Sequence, residues 1–327
     1  MPLNRRPDAK STQKSLDKLK KVSYAAIALS IIAIIISLSV FFTLTYKPYK
    51  VDFGNTTAGI NTPLNSSSLA VINNAPNSYF ERAGEMYLNG TLSDPVFPNP
   101  KTIAPFSFNS KATVLYLGSI TCVFCAENRW AMALALSRFG KFSGLYVGYS
   151  ALGDSDVPTI YWTPEIYNSS SDSIGNYYSS NIINFLSIED THPITGGFAL
   201  NSMPQMLSNL NAKGNSTYVD AFKYILNLSR NSTTAFQGTP YTVWGNYLFT
   251  GADAEVFGNT TPTGSALPIT YMSHAQILSQ LANPTDQFAM GQYAAADVYA
   301  AAICKSINNT ASVCSLPAIT AIESALK

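Results

Sequence analysis

ATVLYLGSITCVFCAENRWAMALALSRFGKF, residues 112–142, is the stretch that decides the expected fold. Its first part, residues 112–119, is short, apolar and rich in β-branched and aromatic side chains, which predicts a strand buried on both faces. The Ala-, Leu- and Met-rich part that follows Cys125 ends at Gly140, which predicts a helix terminated by a glycine. Cys122 and Cys125 therefore lie where a buried strand meets a helix.

The segments around this stretch predict one larger α/β domain. Residues 144–150, GLYVGYS, predict a second strand, so that strand, helix and strand with short connections would form a right-handed parallel crossover. Residues 240–249, PYTVWGNYLF, predict a further strand, and we interpret residues 151–236 as a partly helical insertion. The predicted domain spans residues 79–327.

The first 78 residues have the composition of a tail, a membrane span and a linker. Basic residues dominate the tail, and residues 22–46 hold no charged side chain over a length that exceeds the ~20 residues needed to cross a bilayer. A cleavable signal peptide would have only about 7 to 15 apolar residues. We therefore predict a cytoplasmic basic tail at residues 1–21, a transmembrane helix at residues 22–46 and an extracytoplasmic linker at residues 47–78. The predicted localisation is the cell membrane, single-pass, with the N-terminus in the cytoplasm and the main domain outside.

Glycosylation sequons of the form Asn-x-Ser/Thr occur only after the apolar run, which agrees with an extracytoplasmic domain. A chain rich in Asn and Ser also forms such triplets by chance. The candidate glycosylation sites are Asn55, Asn65, Asn89, Asn168, Asn215, Asn227, Asn231, Asn259 and Asn308.

Composition argues against several classes of function. With 20 basic and 19 acidic residues the net charge is +1, so the chain carries no overall positive charge that would attract a nucleic acid. The two histidines, His192 and His274, are isolated in sequence, and structural zinc needs four ligands. We therefore predict no nucleic-acid partner, no metal site and no cofactor.

Cys122 and Cys125 form the candidate catalytic site. Their spacing brings both sulfurs to one side of the first helical turn. Cys122 lies near the helix N-terminus, where unpaired backbone N–H groups and the helix dipole stabilise a thiolate. We predict that Cys122 attacks a substrate disulfide and that Cys125 resolves the resulting mixed disulfide. The alternative is a purely structural disulfide between the two cysteines.

The order of strand, CxxC motif, helix and strand, followed by Gly238, Thr239 and Pro240 before a later strand, resembles the thioredoxin-like superfamily. The resemblance covers roughly residues 106–260, and the insertion looks like the helical insertions of Dsb-type oxidoreductases. It implies a thioredoxin-like fold, a cis peptide bond before Pro240 and a backbone at Thr239 that binds a substrate peptide. More closely, the chain resembles a family of archaeal membrane-anchored proteins with a thioredoxin-like CxxC motif and no assigned reaction.

Three features depart from the thioredoxin-like pattern. Val123 and Phe124 replace the Gly-Pro of thioredoxin between the cysteines, so the dipeptide does not indicate a reduction potential. Glu127 is expected in the first helical turn, where its carboxylate would oppose a nearby thiolate. The strand before the motif also lacks the buried acidic residue that thioredoxins use for proton transfer.

Cys304 and Cys314 flank the short segment CKSINNTASVC at the end of an Ala-rich predicted helix. A disulfide between them would close a small loop and stabilise the fold by about 3 kcal/mol. We predict a structural disulfide. The alternative is an electron relay to Cys122 and Cys125, which would need the two pairs to meet in space.

Two functions follow from these features. The first is a membrane-anchored, extracytoplasmic thiol-disulfide oxidoreductase that acts on thiols or disulfides of secreted or surface proteins, with a membrane redox partner to regenerate it. The second is a redox-inactive, glycosylated thioredoxin-like subunit of a membrane or envelope assembly. Solvent access of Cys122 beside Pro240 would favour the first function, and burial of both sulfurs would favour the second.

Overall fold

The computed structural model describes the chain in segments. The described residues are 59–92, 100–150, 156–165, 172–191, 203–230, 240–249, 269 and 272–326, together with isolated positions between 18 and 30. The chain forms two compact units, Met1–Lys50 and Val51–Lys327. The described positions of the first unit are helical and exposed. The sheet, the cysteines and the buried charges all belong to the second unit.

Eleven β-strands and eight α-helices lie in the described part of the second unit. The strands are β1 (Lys101–Thr102), β2 (Ser107–Phe108), β3 (Lys111–Ser119), β4 (Lys141–Gly144), β5 (Tyr146–Tyr149), β6 (Pro158–Tyr161), β7 (Ser173–Ile174), β8 (Tyr177–Ser179), β9 (Ile183–Asp190), β10 (Tyr241–Trp244) and β11 (Tyr247–Phe249). The helices are α1 (Ser66–Asn73), α2 (Asn77–Leu88), α3 (Val123–Ser137), α4 (Met203–Ala212), α5 (Ser216–Arg230), α6 (His274–Leu281), α7 (Gln287–Ser306) and α8 (Pro317–Ala325).

The main sheet is mixed, and β3 lies in its middle. Its order is β1-β11-β10-β3-β9-β7, with β2 paired to the start of β3. β9 runs parallel to β3, from Ala112 opposite Ile183 to Ser119 opposite Asp190. β10 runs antiparallel on the other side, with Tyr241 opposite Leu117. The last residues of β3 therefore have a strand on each side.

Helices cover both faces of the sheet around β3. Val114 and Tyr116 belong to the apolar core formed with α3 and α7, whereas Leu115 and Leu117 belong to the core formed with α4 and α5. Because successive side chains of a strand alternate between the two faces, β3 is buried on both sides. The strand and the helix predicted on either side of the cysteine pair are present, and they lie in the centre of the fold.

The expected fold class, an α/β thioredoxin-like domain with a partly helical insertion behind an N-terminal transmembrane helix, is wrong. The structure has a mixed α/β fold of eight helices and a mixed sheet within its described residues. The expected crossover from residues 112–119 to residues 144–150 does not form, because β4 and β5 pair with β8 and β6 in two small separate sheets. The parallel partner of β3 is β9, which lies inside the segment expected as an insertion, residues 151–236. Strands that follow each other in the sequence are therefore not neighbours in the main sheet.

None of the helices in the described residues is long and apolar enough to cross a membrane. Apart from a few isolated positions, the expected transmembrane segment, residues 22–46, lies outside those residues. Part of the expected linker, residues 47–78, is described from residue 59 onward and packs on the fold. The Leu64 N–H of this segment donates a hydrogen bond to the carbonyl of Leu145, between β4 and β5, at 2.8 Å. Ile72 of α1 is fully buried.

Candidate functional site

Cys122 is the N-cap of α3, so the helix begins at the cysteine pair. Its backbone is extended, with φ −79° and ψ 130°, and its sulfur accepts the N–H of Cys125 at 3.4 Å. The chain enters the helix through a turn in which the Cys122 N–H donates to the Ser119 carbonyl at 3.2 Å. Within that turn the Ser119 and Thr121 hydroxyls lie 2.9 Å apart. A negative charge on the Cys122 sulfur would therefore meet an N–H donor and the positive end of the helix dipole.

The two cysteines are present as buried thiols that differ in their surroundings. Cys122 is 4% exposed and Cys125 is 0% exposed. The sulfur of Cys125 accepts the N–H of Ser119 at 3.5 Å, on the inner side of the motif. Burial raises the pKa of Cys125 well above its usual range, its hydrogen bond and charge interaction with Cys122 add to the rise, and the positive charge of Arg129 opposes it. Cys125 is thus held in its protonated form.

A buried ion pair lies beneath Cys125. Arg129 of α3 donates from Nε and Nη2 to the two carboxylate oxygens of Glu189 at 2.9 Å each, and its Nη2 also donates to the Ser119 carbonyl at 2.9 Å. Burial raises the pKa of Glu189, and Arg129 opposes the rise. Because β9 runs parallel to β3, Glu189 lies opposite Gly118, near the end of the strand that leads to the cysteines. The strand before the motif has no acidic residue, and the neighbouring strand supplies one.

Aromatic rings enclose the guanidinium of Arg129. Its central carbon lies 5.8 Å from the ring centroid of Tyr116 and 5.5 Å from that of Tyr161, which are cation–π distances. The Tyr116 side chain lies across Gly118, where a Cβ would meet its hydroxyl. A glycine at position 118 therefore leaves the space that Tyr116 needs in order to pack beside Arg129.

A second buried carboxyl group, Glu165, lies close to this ion pair. Glu165 is 2% exposed, and its Oε1 accepts the Thr163 hydroxyl at 2.7 Å. Burial raises the pKa of Glu165 to about 7, the negative charge of Glu189 adds to the rise, and the hydroxyls of Ser173 and Thr163 and the charge of Arg129 oppose it. The site therefore holds two carboxyl groups around one guanidinium.

The start of β10 borders the same end of the sheet. Pro240 is buried and precedes Tyr241, whose register partner Leu117 lies near the end of β3. The other residue expected to bind substrate, Thr239, lies outside the described residues. Pro240 thus lies at the end of the strands where β3 leads to Cys122.

The family model for a domain of unknown function, DUF929, matches residues 102–305, which is more than half of the chain. The chain belongs to the DUF929 family. No curated protein and no solved structure matches it. The matched residues include β3, the cysteine pair, α3 and β9, so the DUF929 region contains Cys122, Cys125, Arg129, Glu165 and Glu189.

Glu127 of this DUF929 domain lies further along α3 than expected. Since Cys122 is the N-cap, Glu127 is the fifth residue of the helix and follows the first turn. Its side chain is 2% exposed. The expected carboxylate in the first turn beside the Cys122 sulfur is therefore not present.

The second cysteine pair, Cys304 and Cys314, forms a disulfide with an S–S distance of 2.02 Å. Ser306, at the end of α7, accepts the Asn246 N–H at 3.0 Å, so this end of α7 lies at the turn between β10 and β11. The other end of β10, about 10 Å away for a strand of four residues, lies beside the part of β3 that leads to Cys122. Thiol-disulfide exchange needs contact between sulfurs, so this placement favours the predicted structural disulfide over the alternative of an electron relay.

The remaining predicted positions are distributed as follows. His274 lies 2.6 Å from the Thr159 carbonyl and 3.0 Å from the Gly148 carbonyl through Nε2, and burial lowers its pKa. His192 lies outside the described residues. Within the described ranges, no group of three or more His, Cys, Asp or Glu could hold a metal ion.

The sequons fall into two groups. Those in the described segments are all exposed: Asn65, Asn89, Asn215, Asn227 and Asn308. The others, Asn55, Asn168, Asn231 and Asn259, lie outside the described residues. One exposed sequon also has a structural role, because the Asn65 side chain accepts the Ser68 N–H at 2.8 Å and caps α1.

Proposed function

We propose that the protein is an extracytoplasmic thiol-disulfide oxidoreductase that acts on secreted or surface proteins. The observation that carries this proposal is the contrast between its two thiols. The sulfur of Cys122 accepts an N–H at the N-terminus of α3, whereas Cys125 is fully buried with a raised pKa. Such a contrast suits one nucleophilic thiol and one resolving thiol.

The proposed reaction uses the two thiols in turn. The Cys122 thiolate attacks one sulfur of a substrate disulfide, a new S–S bond forms to Cys122, and the other substrate sulfur leaves and takes up a proton. Cys125 then loses its proton and attacks the Cys122 sulfur. The Cys122–Cys125 disulfide forms, and the substrate leaves as a thiol, so the substrate is reduced and the protein is oxidised. The reverse direction oxidises substrate thiols, and the relative reduction potentials decide between the two.

The resemblance of this site to thioredoxin-like proteins is part of the proposal. It is supported locally by the order of β3, the CxxC motif and α3, and by Pro240 at the start of the adjacent β10. It is further supported by Glu189, a buried carboxyl group beside the motif. These features concern the surroundings of the cysteines only.

An extracytoplasmic location is supported by the disulfide of Cys304 and Cys314, because disulfides persist in oxidising compartments. The exposed sequons in the described segments agree with it. Attachment to the outer side of the cell membrane, and a membrane partner that regenerates the cysteine pair, are proposed on the sequence of residues 1–46 alone.

The test is reduction of insulin, and refolding of a scrambled disulfide protein, by the full chain in detergent. We expect activity in the wild type and its loss in Cys122→Ser. The control is Cys304→Ala/Cys314→Ala, which removes cysteines away from the site and should keep the activity per folded molecule. Equal activity of the wild type and Cys122→Ser would overturn the proposal.

A second function is favoured by one observation, the burial of both sulfurs, with Cys122 only 4% exposed. In this function the protein is a redox-inactive, glycosylated thioredoxin-like subunit of a membrane or envelope assembly. Reaction of the native protein with a small maleimide, a reagent that labels accessible thiols, distinguishes the two functions. Labelling of Cys122 at a rate far above that of global unfolding supports the oxidoreductase, and labelling only on unfolding supports the inactive subunit.

A further inference from the structure

A continuous polar path leads from Cys125 to Glu189. The Cys125 sulfur accepts the Ser119 N–H at 3.5 Å, and the Ser119 carbonyl accepts Nη2 of Arg129 at 2.9 Å. Arg129 binds both oxygens of Glu189 at 2.9 Å. All four residues are almost fully buried, so water screens the charges between them only weakly. A thiolate at Cys125 would therefore feel the charges of Arg129 and Glu189.

Glu165 lies near the end of this path, close to two hydroxyl groups on the side of Glu189. Ser173 of β7 is the register partner of Glu189 on β9, so their side chains lie on the same face of the sheet. The Ser173 hydroxyl lies 2.9 Å from the Thr163 hydroxyl, which donates to Oε1 of Glu165 at 2.7 Å. Within the described residues, Oε2 of Glu165 has no hydrogen-bond partner.

The charges of this group do not cancel when both carboxyl groups are ionised. Arg129 then carries one positive charge against two negative ones, and protonation of one carboxyl group makes the cluster neutral. Burial favours the neutral arrangement. Among the described residues, the charged groups that act on Glu165 are Glu189 from β9 and Arg129 from α3, and its pKa of about 7 makes it the group of this cluster that changes charge near neutral pH.

We propose that Glu165 tunes the reactivity of Cys125 by competing with the Cys125 thiolate for the positive charge of Arg129. Ionised Glu165 partly neutralises Arg129 and disfavours a second negative charge at Cys125. Protonated Glu165 leaves more of the positive field of Arg129 to the thiolate. Glu165 thus acts on the reacting sulfur through Arg129, as a positioning residue. The inference deepens the proposed oxidoreductase function and rests on it.

The consequence is a resolving step that depends less on pH than a simple thiol would. A lone thiol loses thiolate tenfold for each pH unit below its pKa. As the pH falls through the titration of Glu165, the negative charge of Glu165 disappears and part of that loss is compensated. Besides Arg129, the titratable groups of the described residues that act on Cys125 are Cys122, Glu189 and Tyr116. In the mixed disulfide Cys122 has no thiol to titrate, burial raises the pKa of Tyr116 well above its usual value, and Arg129 opposes the rise that burial causes in the pKa of Glu189.

The experiment measures the resolving step by itself. The reduced full chain is mixed with one equivalent of the aromatic disulfide DTNB, so that Cys122 forms a mixed disulfide and releases one thionitrobenzoate. Attack by Cys125 then releases the second thionitrobenzoate, and its rate is followed by absorbance from pH 5.5 to 8.5. The same series is recorded for Glu165→Gln, in which the side chain keeps its size and is neutral at every pH.

We expect Glu165→Gln to resolve the mixed disulfide about threefold to tenfold faster than the wild type at pH 8, and at the same rate at pH 5.5. The matched control is Asp297→Asn, which neutralises another fully buried carboxyl group that faces a different arginine, Arg138. Its resolving rates should follow those of the wild type. Thr163→Val, which removes a hydroxyl that stabilises ionised Glu165, should move the bend in the wild-type profile to higher pH.

Two results separate the failure of this inference from that of the function beneath it. Formation of the mixed disulfide with identical pH profiles in the wild type and Glu165→Gln, or a slower Glu165→Gln at pH 8, would overturn the role of Glu165 and leave the oxidoreductase in place. Absence of any mixed disulfide at Cys122 would overturn the oxidoreductase and the inference with it.

Discussion

A buried arginine, Arg129, and a half-buried one, Arg138, each face carboxyl groups, and they are bound in different ways. Arg129 makes two direct bonds to Glu189 at 2.9 Å and lies beneath Cys125. The guanidinium carbon of Arg138, which follows α3, lies over the ring of Phe80, 3.7 Å from its centroid. Its Nε and Nη2 have no hydrogen-bond partner among the described residues. The guanidinium of Arg129 is therefore fixed by hydrogen bonds to a carboxylate, whereas that of Arg138 is held by an aromatic ring.

The carboxyl groups near Arg138 show the same contrast. Asp297 is fully buried in the middle of α7, and within the described part of the chain neither of its oxygens has a hydrogen-bond partner. Burial raises its pKa well above the usual range, and Arg138 opposes the rise while Glu81 adds to it. The difference teaches that charge composition alone does not make a site. The Arg129 cluster is linked to the Cys125 sulfur through hydrogen bonds of the Ser119 backbone, whereas no such link from Arg138 to a cysteine occurs in the described part of the chain.

The largest expected effect comes from removing each arginine in turn. Arg129→Met leaves Glu189 buried without its partner, so we expect a loss of about 3 to 5 kcal/mol in the free energy of unfolding. Arg138→Met removes the guanidinium from the Phe80 ring but breaks no direct ion pair of the described residues, so we expect a loss of about 1 kcal/mol. Urea denaturation of both variants measures the difference. Equal losses would remove the distinction between the two clusters.

The next effect separates stability from cysteine chemistry. Removal of the disulfide in Cys304→Ala/Cys314→Ala should lower the free energy of unfolding by about 3 kcal/mol, because the short loop is no longer closed in the unfolded chain. The loss is similar to that of Arg129→Met, yet the rate of the resolving step at Cys125 should stay unchanged. A change in that rate would mean that any loss of stability alters the cysteine pair.

The smallest effect concerns the pH dependence of stability at Asp297. A carboxyl group with a raised pKa in the fold stabilises the protein fully below its unfolded pKa of about 4, and this contribution is lost as the pH rises through its folded pKa. Ionisation of Asp297 should therefore lower the stability of the wild type as the pH rises from about 4 to the folded pKa of this group. Asp297→Asn should remove the part of this loss that comes from Asp297, about 1.4 kcal/mol for each unit by which its pKa is raised, as read from thermal unfolding at a series of pH values. An unchanged slope would show that Asp297 does not ionise differently in the fold.

Local features were predictable from the sequence, and the neighbours of β3 were not. β3 and α3 are short-range patterns, an apolar β-branched run and an Ala- and Leu-rich run, and both are present. The parallel neighbour of β3 is set by contacts between residues about 70 positions apart, as for Leu115 and Leu186, and periodicity carries no such information. The segment GLYVGYS is the next apolar run in the chain, and this order is the basis on which it is predicted as the neighbour of β3.

The buried ion pair left a partial signal in the sequence. Arg129 lies four residues after Cys125, so a helix would place both on one face, and a lone basic residue in the apolar run of α3 needs a partner when buried. Glu189 ends the apolar run IINFLSIED, which marks a carboxyl group at the end of a buried strand. Pairing the two required the knowledge that β9 lies beside β3. Glu165 has no such marker, because it is held by contacts with a distant part of the chain, such as the Asn61 side chain that accepts its N–H at 3.0 Å.

The most direct test of the proposed oxidoreductase is to trap its covalent intermediate. Cys125→Ser keeps the attacking thiol and removes the resolving one, so a disulfide-bonded substrate protein should remain linked to the variant. We predict that peptide mapping of the trapped species finds the new disulfide at Cys122, and that Cys122→Ser/Cys125→Ser traps nothing. If Cys125→Ser forms no Cys122-linked species under conditions in which the wild type reduces the substrate disulfide, the role of Cys122 as the nucleophile is contradicted.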